Sequence, residues 1–180
     1  MDEQLSNREA IIARYADGPN QLETAIAGLS EEELDIAESD DTWTIRQIVH
    51  HVVDGDDIWK VFIKRAIGNP GGKFDLQWYW EMPQNEWVES WVYASRDVEP
   101  SLALFRASRG HIVQLLEHLP EIWERSLLVR WPNEEEQEVR VAWVVKMQAQ
   151  HVTGHLDDIR RLGRFTMFEV FQSREQDGLG

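Results

Sequence analysis

Residues 42–67 read TWTIRQIVHHVVDGDDIWKVFIKRAI. Ile45, Ile48, Val49, Val52, Ile58, Phe62 and Ala66 recur three and four apart, the spacing that stacks side chains on one face of an α-helix. Gly68-Asn69-Pro70-Gly71-Gly72 follows and stops the pattern. The stretch therefore predicts a long amphipathic helix from about Thr42 to about Ile67. Working outward, the same period appears three more times. Upstream, Ser6 with Glu9 three residues on reads as a capping box. Ile11, Ile12, Tyr15, Leu22, Ile26 and Leu29 continue that helix, with a kink or break expected at Asp17-Gly18-Pro19. Ser30-Glu31-Glu32-Glu33 starts a short acidic turn of helix. Downstream, Leu102, Phe105, Ile112, Leu115 and Leu116 form the stripe of a helix from about Val98 to Leu119, ended by Pro120. A last helix runs from about Ala142 to Leu162 and is expected to end at Gly163.

Two segments lack the helical period. Lys73 to Asp97 carries Trp78, Tyr79, Trp80, Trp87, Trp91 and Tyr93, and reads as a long aromatic-rich crossover with one short helix near Trp87. A connection of that length in a compact domain is usually functional. Trp123–Trp131 and Glu138–Val141 alternate around Pro132-Asn133, the pattern of a small β-hairpin. Four long helices and one crossover give an all-α class, a four-helix bundle. At 180 residues the chain suits one domain. Residues 1–168 are expected to form a single bundle domain and 169–180 a polar, flexible C-terminal tail.

Composition excludes several functions. The net charge is −15, opposite in sign to what neutralises phosphate, so neither nucleic acid nor an anionic membrane is an expected partner. No run of apolar residues is long enough to span a bilayer, and the first residues, MDEQLSNREA, lack a signal peptide's basic and apolar regions. There is no cysteine, which removes disulfides, thiolate nucleophiles and cysteine-ligated zinc, and suits the cytoplasm. Nine tryptophans are expected to line the core or a pocket wall.

The histidines carry the chemistry. His151 and His155 lie four apart, hence one turn apart on one helix face, where two imidazoles can share a metal ion. Six histidines produce such a pair by chance, so a hydrogen-bonded surface pair is the competing reading. Asp157 and Asp158 are placed to accept a hydrogen bond from a ligand's other ring nitrogen. Gln150 precedes His151, so the metalloprotease pattern with its glutamate base fails. His51 falls on the apolar side of its helix beside Ile48 and Val52, where an unpaired polar ring is costly. It needs a metal or a hydrogen-bond partner. Three histidines from two helices would leave a coordination position open, as catalytic zinc sites do.

At these residues the sequence resembles the DinB-like (YfiT-like) superfamily. The run W-T-x-R-Q-x-V-H-H-V-x-D, Trp43 to Asp54, resembles its second-helix signature, and H-x-x-x-H-x-x-x-I, His151 to Ile159, its last-helix signature. The resemblance covers about Ser6 to Gly163. It implies a DinB-like four-helix bundle with one divalent metal ion, nickel or zinc, held by His51, His151 and His155. His50, rotated about 100° from His51, is not expected to be a ligand. Asp54 and Asp158 are the catalytic candidates, orienting a ligand or a water. Arg46 is expected in a helix-surface ion pair, and Trp43 as an aromatic plug at the helix start. Homodimers are common in that family.

The resemblance also implies chemistry. Characterised members are transferases and isomerases that use a low-molecular-weight thiol such as bacillithiol or mycothiol, so thiol-dependent S-transfer on a small molecule is the leading expectation. With no cysteine in the chain, the thiol would be a cosubstrate. Arg46, Lys60, Lys64 and Arg65 are candidates for a cation that meets it. Hydrolysis of a small ester or amide at the same metal is the alternative. The third reading is non-enzymatic: a metal or small-ligand binding bundle lined by Trp59, Trp78, Trp80 and Trp87. His111 and His118 are expected to be surface or packing residues.

Overall fold

The computed structural model describes the backbone of residues 2–132 and 136–177, and the side chains of 7–132 and 136–163. Seven helices and a three-stranded sheet follow in the order α1 (Asp2–Ile26), α2 (Glu31–Leu34), α3 (Ile45–Gly68), β1 (Lys73–Phe74), α4 (Gln77–Trp80), α5 (Gln84–Ser90), α6 (Val98–His118), β2 (Ser126–Arg130), β3 (Glu136–Arg140) and α7 (Val141–Asp177). Short 3₁₀ turns at Tyr93–Ser95 and Pro120–Glu124 flank α6.

The expected bundle is present. α1 packs on α6 and α7, and α3 packs on the same two helices, closing a square. α3 begins at Ile45, three residues after the expected start near Thr42, because Thr44 caps it. Thr44 Oγ1 accepts from the Gln47 N–H at 3.2 Å, and Gln47 Oε1 accepts from the Thr44 N–H at 2.9 Å. Asp97 caps α6 through the Glu99 N–H at 3.0 Å.

Three boundaries differ from expectation. α1 starts before Ser6, which lies inside the helix. It also runs unbroken through Asp17-Gly18-Pro19, where a break was expected. Gly18 and Pro19 are buried, and a Cβ on Gly18 would collide with the Arg109 guanidinium. The glycine serves a close approach rather than a turn, and packing outweighs the roughly 3 kcal/mol that an interior proline costs a helix. α7 continues through Gly163, because one interior glycine costs a helix only about 1 kcal/mol.

The hairpin is present as β2 and β3, registered Ser126 opposite Arg140 and Arg130 opposite Glu136. β1 was not anticipated, since two residues carry no period. It joins β2 in parallel, aided by Gly72 O accepting from the Leu128 N–H at 2.9 Å. Gly71, at φ 75°, makes the turn that leads into it. The crossover holds the expected helix near Trp87 as α5, and also α4.

The core is divided. One apolar cluster holds Tyr15, Ile63, Ile112, Val145 and Ala149, and the other holds Leu22, Val52, Phe105 and Val152. At the level where each helix passes from one cluster to the other lies a buried polar layer. Arg109, with 0% exposure, donates to Asp56 Oδ1 from Nε at 3.1 Å and from Nη2 at 2.9 Å. It also donates to Tyr15 O at 2.7 Å and to Gln148 O at 3.0 Å. Its guanidinium lies 4.1 Å from the Tyr15 ring and 4.5 Å from the Phe105 ring. Burial pushes the Asp56 carboxyl up from its ordinary value, and the Arg109 charge opposes that.

Candidate metal centre

α3 and α7 are antiparallel neighbours, since His51 meets His151 while Trp59 meets Trp143. This pairing brings the three histidines to one point on the seam. His151 Nε2 lies 3.1 Å from His51 Nε2 and 3.2 Å from His155 Nε2. Among the described residues these three form the group whose ligand atoms lie within 4.8 Å of one another. Four ligands at the usual zinc–nitrogen distance sit roughly 3.3 Å apart around a tetrahedral ion, so the donor spacing fits one first-row divalent cation.

Electrostatics favours the same use. Burial, then the neighbouring imidazoles, push His51 down to about 3. Burial, then His155 and Arg109, push His151 down to about 4. Burial also lowers His155, although Asp158 opposes it. All three rings are therefore neutral near pH 7 and present lone pairs without a proton to expel. A titration follows from these directions. A histidine whose folded pKa lies below its unfolded value near 6.5 contributes stability above pH 6.5 that is lost as pH falls toward the folded pKa. Metal-free protein should accordingly melt at a lower temperature at pH 5 than at pH 7.5. The His51→Phe variant should show a smaller difference; an equal one would remove His51 from the titrating set.

Two of the three rings, His51 and His155, are held from behind. Trp43 packs against His51 at 4.7 Å between ring centroids and lies nearly parallel to His155 at 6.5 Å. Its indole N–H donates to Asn85 Oδ1 at 3.0 Å, which ties the crossover to the site. The aromatic plug expected at the helix start is thus a wall of the histidine cluster. Asp158 Oδ2 lies 3.3 Å from His155 Nδ1, within ion-pair reach but without hydrogen-bond alignment. Arg161 holds Asp158 through Nη2 at 2.8 Å and grips both Glu38 oxygens through Nη1 at 2.8 Å. A shallow cleft lined by Glu38, Trp43, His155, Asp158 and Arg161 runs along this side. Asp158→Ala should weaken zinc affinity about 10- to 100-fold in a competition titration, because a loosened His155 loses orientation and basicity.

Other candidate residues sit elsewhere. Asp54 lies one turn beyond His50 and outside the cluster; Oδ2 accepts from Arg96 Nη1 at 3.1 Å, and the Tyr93 phenol faces it. His50 is fully buried and satisfied, with Nδ1 2.9 Å from Ser101 Oγ and Nε2 3.2 Å from Arg96 O. Arg46 does form ion pairs, with Glu31 at 2.7 Å and Asp35 at 2.6 Å, but it is buried rather than on the helix surface. Lys60 bonds Asp57 and Ser108, while Lys64 and Arg65 are exposed. Arg161 lines the same cleft as His155 and reaches it through Asp158, three residues earlier on α7, a spacing the sequence carries. His111 and His118 are exposed, as expected.

A four-helix bundle with a three-histidine site suited to one divalent cation is the class that fold and site define. The profile described as the DinB superfamily matches residues 14–159, and the chain belongs to that superfamily. A Geobacillus thermodenitrificans protein provisionally named a metal-dependent hydrolase is 31% identical over 110 residues, covering 61% of this chain and 59% of that relative. A Bacillus cereus protein of the same provisional name is 29% identical over 154 residues, covering 83% of each chain. YfiT from Bacillus subtilis superposes with a TM-score of 0.76 over 88% of this chain and 87% of its own, at 21% identity, a likeness of fold. Among the described residues no helix is long and apolar enough to cross a membrane.

Proposed function

We propose that the protein is a metal-dependent hydrolase of a small ester or amide, working at His51, His151 and His155. The observation that carries this reading is the convergence of three neutral imidazole nitrogens, with 3.1 and 3.2 Å between His151 and its two neighbours. Three protein ligands leave a tetrahedral ion one position for water or substrate. A divalent cation held there would supply Lewis acidity and would lower the pKa of a water toward 7. Zinc and nickel both suit imidazole ligands. The provisional names of the relatives in Geobacillus and Bacillus point the same way.

The chain's own residues do the positioning. Asp158 faces the Nδ1 of His155 and favours the tautomer that leaves Nε2 free. Trp43 shields His51 and His155 from water on one side. Asp54, already bonded to Arg96, faces Tyr93 rather than the histidines.

The test uses untagged protein loaded with zinc or nickel and assayed on 4-nitrophenyl acetate and on an anilide, with and without an added thiol. Thiol-independent turnover that chelation abolishes and metal restores supports hydrolysis. Turnover only with thiol moves the reaction to S-transfer at the same site. A metal-loaded protein with neither activity favours the binding-bundle reading, and activity that survives chelation overturns the metal-dependent one.

A further inference from the structure

α1 and α7 pack side by side, and the seam between them opens into a hollow of about 170 Å³. Helical spacing places its walls. Asn7, Ala10 and Arg14 lie three and four apart on one face of α1, and Lys146, Ala149 and Gln150 share a face of α7. Ala10 and Ala149 contribute only a methyl group each, which leaves the room. Gln150 lies about 100° round α7 from His151, so the hollow faces a different way from the metal centre.

The four polar side chains around this hollow are all donors. Arg14 offers five N–H groups, Lys146 three, and the carboxamides of Asn7 and Gln150 two each. No carboxylate lines the hollow. Among the described residues, none of the four side chains makes a hydrogen bond or an ion pair. That runs against the composition of the chain, in which carboxylates outnumber Lys and Arg by 33 to 18. Cations elsewhere find one: Arg106 pairs with Glu23, Arg140 with Glu124 and Arg160 with Asp157. Two like charges facing one small hollow repel, and a bound anion turns that repulsion into attraction.

We propose that the hollow between α1 and α7 is a binding site for a compact dianion, the head group of a phosphate monoester or of a dicarboxylate. Arg14 and Lys146 neutralise its two charges from opposite helices. The planar fork of Arg14 matches either head group with two parallel hydrogen bonds. Asn7 and Gln150 donate to the remaining oxygens. No residue of the hollow belongs to the histidine group, so the site stands or falls separately from the hydrolase reading.

The test titrates the chelated full-length protein at pH 7.5 with inorganic phosphate and, separately, with succinate. Sodium chloride of equal ionic strength is the reference for each addition. Chelation keeps the anions from a metal ion. The readout is the side-chain N–H resonances of Arg14, Asn7 and Gln150. Phosphate, succinate or both should shift them saturably where chloride does not, and the tighter of the two identifies the head group. Lys146→Gln should weaken that binding about tenfold. Lys64→Gln removes the same charge from an exposed position on α3 and should change it less than about twofold. Both substituted side chains are exposed, which spares the fold. Equal weakening by the two variants would mean a general attraction to the protein's cations and overturns the proposal. So do shifts that chloride reproduces, and so does the lack of a saturable shift with either dianion.

Discussion

His151→Ala protein will retain almost no metal, whereas wild type purified without a tag will carry about one equivalent of a divalent ion. His151 is the middle donor, 3.1 Å from His51 Nε2 and 3.2 Å from His155 Nε2. Its removal leaves the two outer imidazoles with no shared neighbour. The loss of affinity should exceed the roughly 10- to 100-fold that outer-sphere partners contribute. Turnover should fall with it. His51→Ala should behave alike, because its ring comes from the opposing helix and, among the described residues, no other histidine or carboxylate of α3 joins the cluster. His50→Ala is the control. His50 is buried on the other side of α3 against Ser101 and Arg96 O. Its loss should cost about 1–3 kcal/mol of stability and leave metal content unchanged. Mass-spectrometric metal analysis and a thermal melt of the three variants separate these effects. A folded His50→Ala protein without metal would falsify the assignment of ligands.

The largest effect on stability is expected at Arg109. Its guanidinium serves the Asp56 carboxylate, Tyr15 O and Gln148 O at once in a layer closed to water. Arg109→Ala strands the Asp56 charge and removes a donor from the Tyr15 and Gln148 carbonyls. Breaking a buried pair from one side costs about 3–5 kcal/mol. For a domain of this size that is roughly 6–20 °C in melting temperature. Arg109→Lys should recover little, since one ammonium cannot span acceptors arranged for a fork. A melt within a few degrees of wild type would mean that water enters the layer and replaces the guanidinium. The layer also adjoins the metal centre, as the Arg109 charge is among the causes that lower His151. Metal affinity of any folded Arg109 variant is worth measuring for that reason.

The bundle was legible because its helices follow the physics that sequence patterns encode. In α3 the apolar stripe from Ile45 to Ala66 is also the buried face, and the glycine-rich stop after Ile67 lies within a residue or two of the helix end. The hairpin was legible from alternation on either side of the Pro132-Asn133 pair in the sequence. α1 was misread at Gly18-Pro19 because the local sequence does not reveal that Arg109, 91 residues later, needs the space a side chain would fill. β1 was missed because two residues pair only when β2 arrives.

The site divides the same way. Sequence alone offered the candidates: the i, i+4 spacing puts His151 and His155 on one face, the apolar setting of His51 demands a partner, and the resemblance to the DinB-like superfamily joins the three into one ligand set. It also excluded cysteine chemistry, since the chain has no cysteine. Only the tertiary structure decided that the two helices run antiparallel in the register that joins the three nitrogens. It alone sent Asp54 to Arg96, buried Arg46 between Asp35 and Glu31, and set Arg161 behind Asp158. Periodicity reports which way a side chain faces on its own helix. Which neighbour it meets there depends on the register of packing between helices, and that is fixed by contacts among residues about a hundred positions apart.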